Sequence, residues 1–130
     1  MPVSRTESSI AQVPRSFLLP SVLLLLREQP SHGYELLERL EVLGFARIDP
    51  GGVYRTLRLL ERENLVHSSW ERSTEGPDRR IYELTRRGME ELHDAAHGLA
   101  RTGAMVGLFL SRYGEFVSLA PAESPAARPR

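Results

Sequence analysis

Apolar positions along the chain repeat first with a helical period, then alternate briefly, then return to a helical period over a long stretch. Ser16–Glu28 is apolar nearly all round, which predicts a first helix at the centre of the core. Pro20 falls in its first turn, where a missing N–H costs little, and Gln29-Pro30 stops it. Ser31-His32-Gly33 begins a second helix, with Ser31 or His32 near the cap. Its buried stripe is Tyr34, Leu37 and Leu40, while Glu35, Glu38, Arg39 and Glu41 face water and Gly44 supplies the left-handed end. Phe45 and Ile48 pin a short connection to the core. Asp49–Asn64 is the third helix: Asp49 and Pro50 give the start signal, and Asn64 tolerates the left-handed exit. At about 100° per residue, Val53, Leu57 and Leu60 share one stripe and Arg55, Arg58 and Arg62 cluster opposite.

Leu65–Arg72 and Arg80–Leu84 alternate as strands, and Gly76-Pro77-Asp78 between them is a strong turn signal. They predict an antiparallel hairpin whose tip carries Arg72, Arg79 and Arg80. Thr85 caps a final helix of about 28 residues, reaching Tyr113 or slightly beyond. Within it Leu92, Leu99, Val106 and Tyr113 recur every seven residues, followed three positions later by Ala95, Thr102, Phe109 and Phe116. Such a seam is longer than a small three-helix core covers, so it predicts a partner helix from a second copy rather than one wrapped on its own domain. Residues 1–15 read as a loose polar arm and residues 117–130 as a disordered Ala/Pro/Ser/Arg tail.

Composition narrows the classes. The 130 residues are 41% hydrophobic and suffice for one core plus unfolded ends. With no cysteine, disulfides, thiolate metal sites and cysteine nucleophiles are excluded. The net charge is +0, so any anion binding has to come from a local patch. All the basic side chains are arginine, which suits bidentate contacts to phosphate or guanine, although a GC-rich genome enriches it too. The apolar run Phe17–Leu26 is broken by Pro20 and is too short to span a membrane. The N-terminal MPVSRTESS lacks the order of a secretory signal, so a cytoplasmic protein is the expectation.

Helix, helix, basic helix, hairpin and long helix is the order of a mostly α winged helix-turn-helix (16–85) followed by a dimerisation helix (86–116). In that arrangement the third helix enters the DNA major groove N-terminus first, while the hairpin wing reaches a neighbouring phosphate or the minor groove. Its outer face then has to be basic, small near its start and free of acid in its middle. Gly51, Gly52, Arg55, Arg58 and Arg62 satisfy those demands.

The segments HGYELLERL (His32–Leu40), DPGGVYRTLRLLERENLV (Asp49–Val66) and GPDRRIYELTRRGMEEL (Gly76–Leu92) resemble the PadR family of transcriptional regulators. They occur in order and at the family's spacing over roughly residues 16–92, and the single C-terminal helix is similar to the family's smaller subgroup. The resemblance implies a homodimeric repressor that binds an inverted-repeat operator in double-stranded DNA and is released by a small-molecule effector or other signal. It implies that Tyr54 directs its hydroxyl toward a phosphate and Arg55 its guanidinium toward a base edge or phosphate. Gly76, Arg79 and Arg80 match the family's wing. Gly52 stands where members often carry serine or threonine, and Asn64 where they usually carry glycine.

Several residues keep two readings. Tyr34 reads as core with its hydroxyl at the rim, or as a phosphate contact. Trp70 reads as hairpin packing, or as a ligand-stacking surface. Some family members bind flat aromatic drugs through a tryptophan on the long helix. This chain has none there, so an effector pocket between subunits would use Met105, Phe109, Tyr113 or first-helix residues. His93 and His97 stand four apart beside Asp94, superficially like a metalloprotease helix. The required Glu and a third ligand are missing, and a solvated face is the expectation. No cofactor, resident metal, membrane partner or enzymatic activity is expected. The competing class is a winged-helix protein-interaction module without specific DNA binding.

Overall fold

The computed structural model describes residues 17–117; Ser16, the expected arm and all of the expected tail but Val117 lie outside the described residues. The chain divides into two units, residues 1–95 and 96–130.

In the first unit, α1 (Leu18–Glu28) has Pro20 in its opening turn and buries Ser21, Val22, Leu23, Leu25 and Leu26. Next comes an element that the periodicity does not predict. Ser31–His32 forms a short strand, β1, before α2 (Gly33–Leu43) begins. His32 is extended because it caps α2, and in that conformation the same two residues pair with a sheet edge. Two residues carry no readable alternation.

The buried face of α2 is rotated by one position from the expected stripe. Gly33, Leu36 and Leu40 are buried, Leu37 is partly covered, and Tyr34 is 68% exposed. The cause lies across the fold, where the Tyr54 ring rests on Gly33. A Cβ there would lie 2.7 Å from Tyr54 Cζ, so the side of α2 carrying Gly33 faces inward. Gly44 closes the helix at φ 124°, a conformation that favours glycine. Phe45 is buried and stacks on Phe17 at 5.7 Å, with Ile48 packed on the same cluster.

Arg39 corrects the expectation that it faces water. Its side chain is only 18% exposed, and it donates to the Leu25 carbonyl at 2.7 Å, the Gln29 carbonyl at 3.3 Å and the Ser31 hydroxyl. It also pairs with Glu28 at 3.2 Å. The guanidinium thus adds a second donor to the Leu25 carbonyl, which also accepts from the Gln29 N–H at 3.2 Å, and ties the end of α1 to α2. Arg39→Ala should cost about 2 kcal/mol in urea unfolding, and Arg39→Lys should recover little of it because an ammonium cannot fork to several acceptors. Full recovery by lysine would leave only a charge effect.

α3 (Pro50–Arg62) starts where expected, with Asp49 Oδ2 accepting from the Gly52 N–H at 3.0 Å. Val53, Leu57 and Leu60 are buried, and Asn64 makes the exit at φ 63°. β2 (Val66–Glu71) and β3 (Arg79–Leu84) form the expected antiparallel hairpin, and β1 adds to its other side, giving the order β1-β3-β2. Core residues Leu65, Val66 and Tyr82 attach this sheet to the helices.

Thr85 caps α4 (Arg86–Gly114): its Oγ1 accepts from the Gly88 N–H at 3.0 Å and donates to the Asn64 carbonyl at 2.6 Å. The first turns of α4 belong to the first unit, where Leu92 is partly buried against the core. In the second unit, α4 runs on to Gly114 with Leu99, Met105, Val106, Phe109 and Tyr113 exposed. Among the described residues no helix is long and apolar enough to cross a membrane.

Candidate nucleic-acid interface

The basic side of α3 is presented to solvent because its opposite side is committed to the core. Tyr54, Arg55, Arg58 and Arg62 are exposed, as is Gly51, with Gly52 half-buried beside it. Glycine at 51 and 52 leaves the start of the helix low, so another surface can approach its backbone closely. Arg55 lies 3.4 Å from Asp49 Oδ2, the same oxygen that caps the helix. Both side chains are mostly exposed, so this contact contributes little and leaves Arg55 available for exchange to an incoming phosphate or base. Tyr54 is anchored over Gly33, which fixes its ring and brings its hydroxyl to the first turn of α2. Tyr34, in that same turn, is exposed rather than core.

The wing arginines fall into different environments. Arg72 is exposed at the end of β2. Arg79 stands opposite Glu71, with a loose 3.9 Å approach between their side chains. Glu71 is held more closely by His32 Nε2 at 2.7 Å, a contact from the helix cap of α2 to the wing. Arg80 stands opposite Trp70 and is the most engaged of the three. Its Nε donates to Ser68 Oγ at 2.9 Å, its guanidinium lies 3.8 Å from Glu61 Oε2, and its Cζ sits 5.1 Å from the Trp70 ring centroid. Trp70 is therefore an exposed wing residue with a cation on its ring. In the wing loop, Asp78 accepts from the Ser73 N–H at 3.1 Å and shapes the Gly76-Pro77 turn. Burial pushes the Tyr82 phenol above its ordinary range, so this strand residue serves the core as a neutral group.

Glu61, Ser68 and Glu71 are residues of this surface that the sequence reading does not assign to it, and His32 is read there only as a helix cap, without its contact to the wing. Their roles depend on strand register and on the α3–wing approach, which leave no mark on local periodicity. His93 and His97 are exposed, and among the described residues no group of three or more His, Cys, Asp or Glu could hold a metal. Met105, Phe109 and Tyr113, proposed by sequence for an effector, are exposed, with Phe109 and Tyr113 stacked at 6.3 Å.

Comparison with known proteins agrees with this geometry. The family model described as the transcriptional regulator PadR-like family matches residues 22–94. A PadR-family transcriptional regulator from Eggerthella lenta superposes with a TM-score of 0.69 at 28% identity, covering 83% of this chain and 91% of its own. A PadR-like regulator from Bacillus cereus gives 0.68 at 26% identity, covering 74% and 93% respectively. Bacillus subtilis PadR, solved in complex with operator DNA, gives 0.57 at 25% identity, covering 64% of this chain and 48% of that one. A curated relative, an uncharacterised 37.1 kDa protein in a transposon of Streptomyces fradiae, is 34% identical over 85 residues. The alignment covers 65% of this chain but spans only 24% of that relative's length. With the family model matching most of the winged unit and the solved relatives sharing its fold, the chain belongs to the PadR-like family of transcriptional regulators, DNA-binding proteins rather than enzymes.

Proposed function

We propose that the chain is a cytoplasmic homodimeric repressor that binds an inverted-repeat operator and is released by a small-molecule effector. One observation carries the reading: α3 buries Val53, Leu57 and Leu60 and thereby turns Tyr54, Arg55, Arg58 and Arg62 outward together. On a chain of net charge +0 this patch has to act locally, and it sits on the helix that a winged fold offers to the major groove. Arg55, from the first turns, reaches a base edge. Arg58, Arg62, Arg72 and Arg79 neutralise phosphates, Tyr34 and Tyr54 hydrogen-bond to them, and Gly51 and Gly52 permit the close approach. The winged part (16–85) is duplicated through the long helix (86–116), chiefly Leu99, Val106, Phe109 and Tyr113, with Leu92 divided between its own core and the seam. The operator complex of Bacillus subtilis PadR supports the choice of DNA as partner. The exposed apolar and aromatic groups Met105, Phe109 and Tyr113 support an effector site completed by the second copy.

The test separates base reading from phosphate contact. Arg55→Ala should reduce operator affinity by roughly tenfold to a hundredfold while leaving random DNA almost unaffected, as expected for a lost contact of about 1–3 kcal/mol. Arg79→Ala should weaken all sequences alike and flatten the salt dependence by about one unit. Mobility shifts at several salt concentrations read both. The reverse pattern contradicts these roles, and an absence of specific binding by the unaltered protein favours a protein-interaction module.

A further inference from the structure

Arg80 has the exposure and sign of a DNA contact, yet its guanidinium is occupied by this chain's own groups. Ser68 Oγ donates to Glu61 Oε2 at 2.7 Å and accepts from Arg80 Nε at 2.9 Å, while Arg80 Nη2 lies 3.8 Å from the same carboxylate oxygen. Glu61 belongs to the last turn of α3, Ser68 and Trp70 to β2, and Arg80 to β3, so three elements meet in one chain of contacts. Register explains the meeting. Arg80 pairs with Trp70, and Ser68 lies two residues before Trp70 on the same face of β2. The Trp70 ring then limits the arginine from a further side, with Cζ 5.1 Å from its centroid. Glu61 is otherwise a poor choice: a carboxylate late in the helix opposes its dipole and repels DNA approaching α3.

We propose that Glu61, Ser68 and Arg80 form a latch that fixes the wing against α3, and that Arg80 is a positioning residue rather than a phosphate contact. The inference rests on the DNA-binding reading above and refines it. With the latch closed, the wing arginines and the α3 arginines are held at one spacing before DNA arrives, so less ordering is needed on binding. With it open, the wing swings on the hairpin and the same charges bind without a fixed register.

Glu61→Gln gives effects of opposite sign under the two assignments. If Glu61 matters only by charge, its neutralisation should tighten DNA binding. If it anchors the latch, operator affinity should fall by roughly three- to tenfold, the scale of one ordinary net hydrogen bond, since glutamine keeps an acceptor for Ser68 and loses only the charge. Ser68→Ala should do the same. Arg80→Lys should fail to restore binding, because lysine keeps the charge but not the fork that reaches two acceptors. None of these changes should alter the salt slope, whereas loss of a true phosphate contact lowers it by about one. Trp70, the chain's 1 tryptophan, reads the latch without DNA: acrylamide should quench its emission more strongly in Glu61→Gln and Ser68→Ala. The proposal is overturned if Arg80→Lys binds like the unaltered protein, or if Glu61→Gln binds DNA more tightly with Trp70 quenching unchanged. Should the unaltered chain bind no operator, the DNA reading falls, and the quenching result still decides whether the latch exists.

Discussion

Gly88→Ala is expected to be among the most destabilising single-methyl additions in the winged unit. A Cβ at this position would run into the backbone carbonyl oxygen of Leu65, and would lie 2.7 Å from Leu84 Cδ2 and 3.0 Å from the Leu65 carbonyl carbon. Neither side can yield easily. The Leu65 carbonyl already accepts from the Thr85 N–H at 3.1 Å, and the Gly88 N–H is held by the Thr85 cap. Alanine gains about 1 kcal/mol of intrinsic helix preference over glycine, but overpacking against fixed backbone costs about 1–3 kcal/mol or more. Because the obstacle is backbone, the cost lies at the top of that range or above, so the clash should win by at least about 1 kcal/mol, a fall in melting temperature of about 4 °C or more for a unit of this size. Thermal unfolding followed by circular dichroism decides it. An unchanged or higher Tm would mean that α4 can start further from residue 65 at no cost, and that the join between hairpin and helix is loose.

A second large effect is expected far from the arginines. Val106→Asp should leave the protein monomeric and reduce operator affinity by about a hundredfold or more, the scale of lost avidity when two linked modules become one. Val106, Leu99, Phe109 and Tyr113 are exposed on the described chain, and Phe109 is 66% exposed. Large exposed apolar patches commonly mark interaction sites, which supports the pairing proposed for α4. A carboxylate placed in such a seam has to be desolvated or the seam has to open, and opening is the smaller cost. The substitution lies outside the core cluster, so the unfolding of the winged part should change little. Sedimentation velocity and operator titration on the same samples check both halves. A dimer that survives Val106→Asp, or a monomer that still binds the operator tightly, contradicts the pairing role given to α4.

Much of the architecture is legible from local rules because the signals agree. The Asp49-Pro50 start, the Val53/Leu57/Leu60 stripe, the Asn64 exit and the Thr85 cap all appear where spacing and capping chemistry place them. The failures share a different cause. Tyr34 is exposed because the Tyr54 ring needs Gly33 turned inward, a demand made by another helix. Arg39 is covered because its acceptors lie at the end of α1, ten or more residues earlier. Gly88 matters because of a carbonyl at residue 65, and β1 exists because β3 has an edge to fill. Periodicity reports which side of an element is oily but not which neighbour fixes its rotation. On the candidate interface, the α3 arginines were visible as a face, while the different engagement of Arg72, Arg79 and Arg80 required the hairpin register.

The most direct measurement of the central claim is a titration of the full-length protein against the DNA immediately upstream of its own coding sequence. It should be run beside random DNA of equal length, at several salt concentrations, with stoichiometry determined. A dimer whose α3 helices read two half-sites should prefer the upstream DNA by about a thousandfold or more and place two chains on each site. Its affinity should fall linearly with salt on logarithmic axes. Equal affinity for upstream and random DNA, or saturation by one chain per site, would contradict the account.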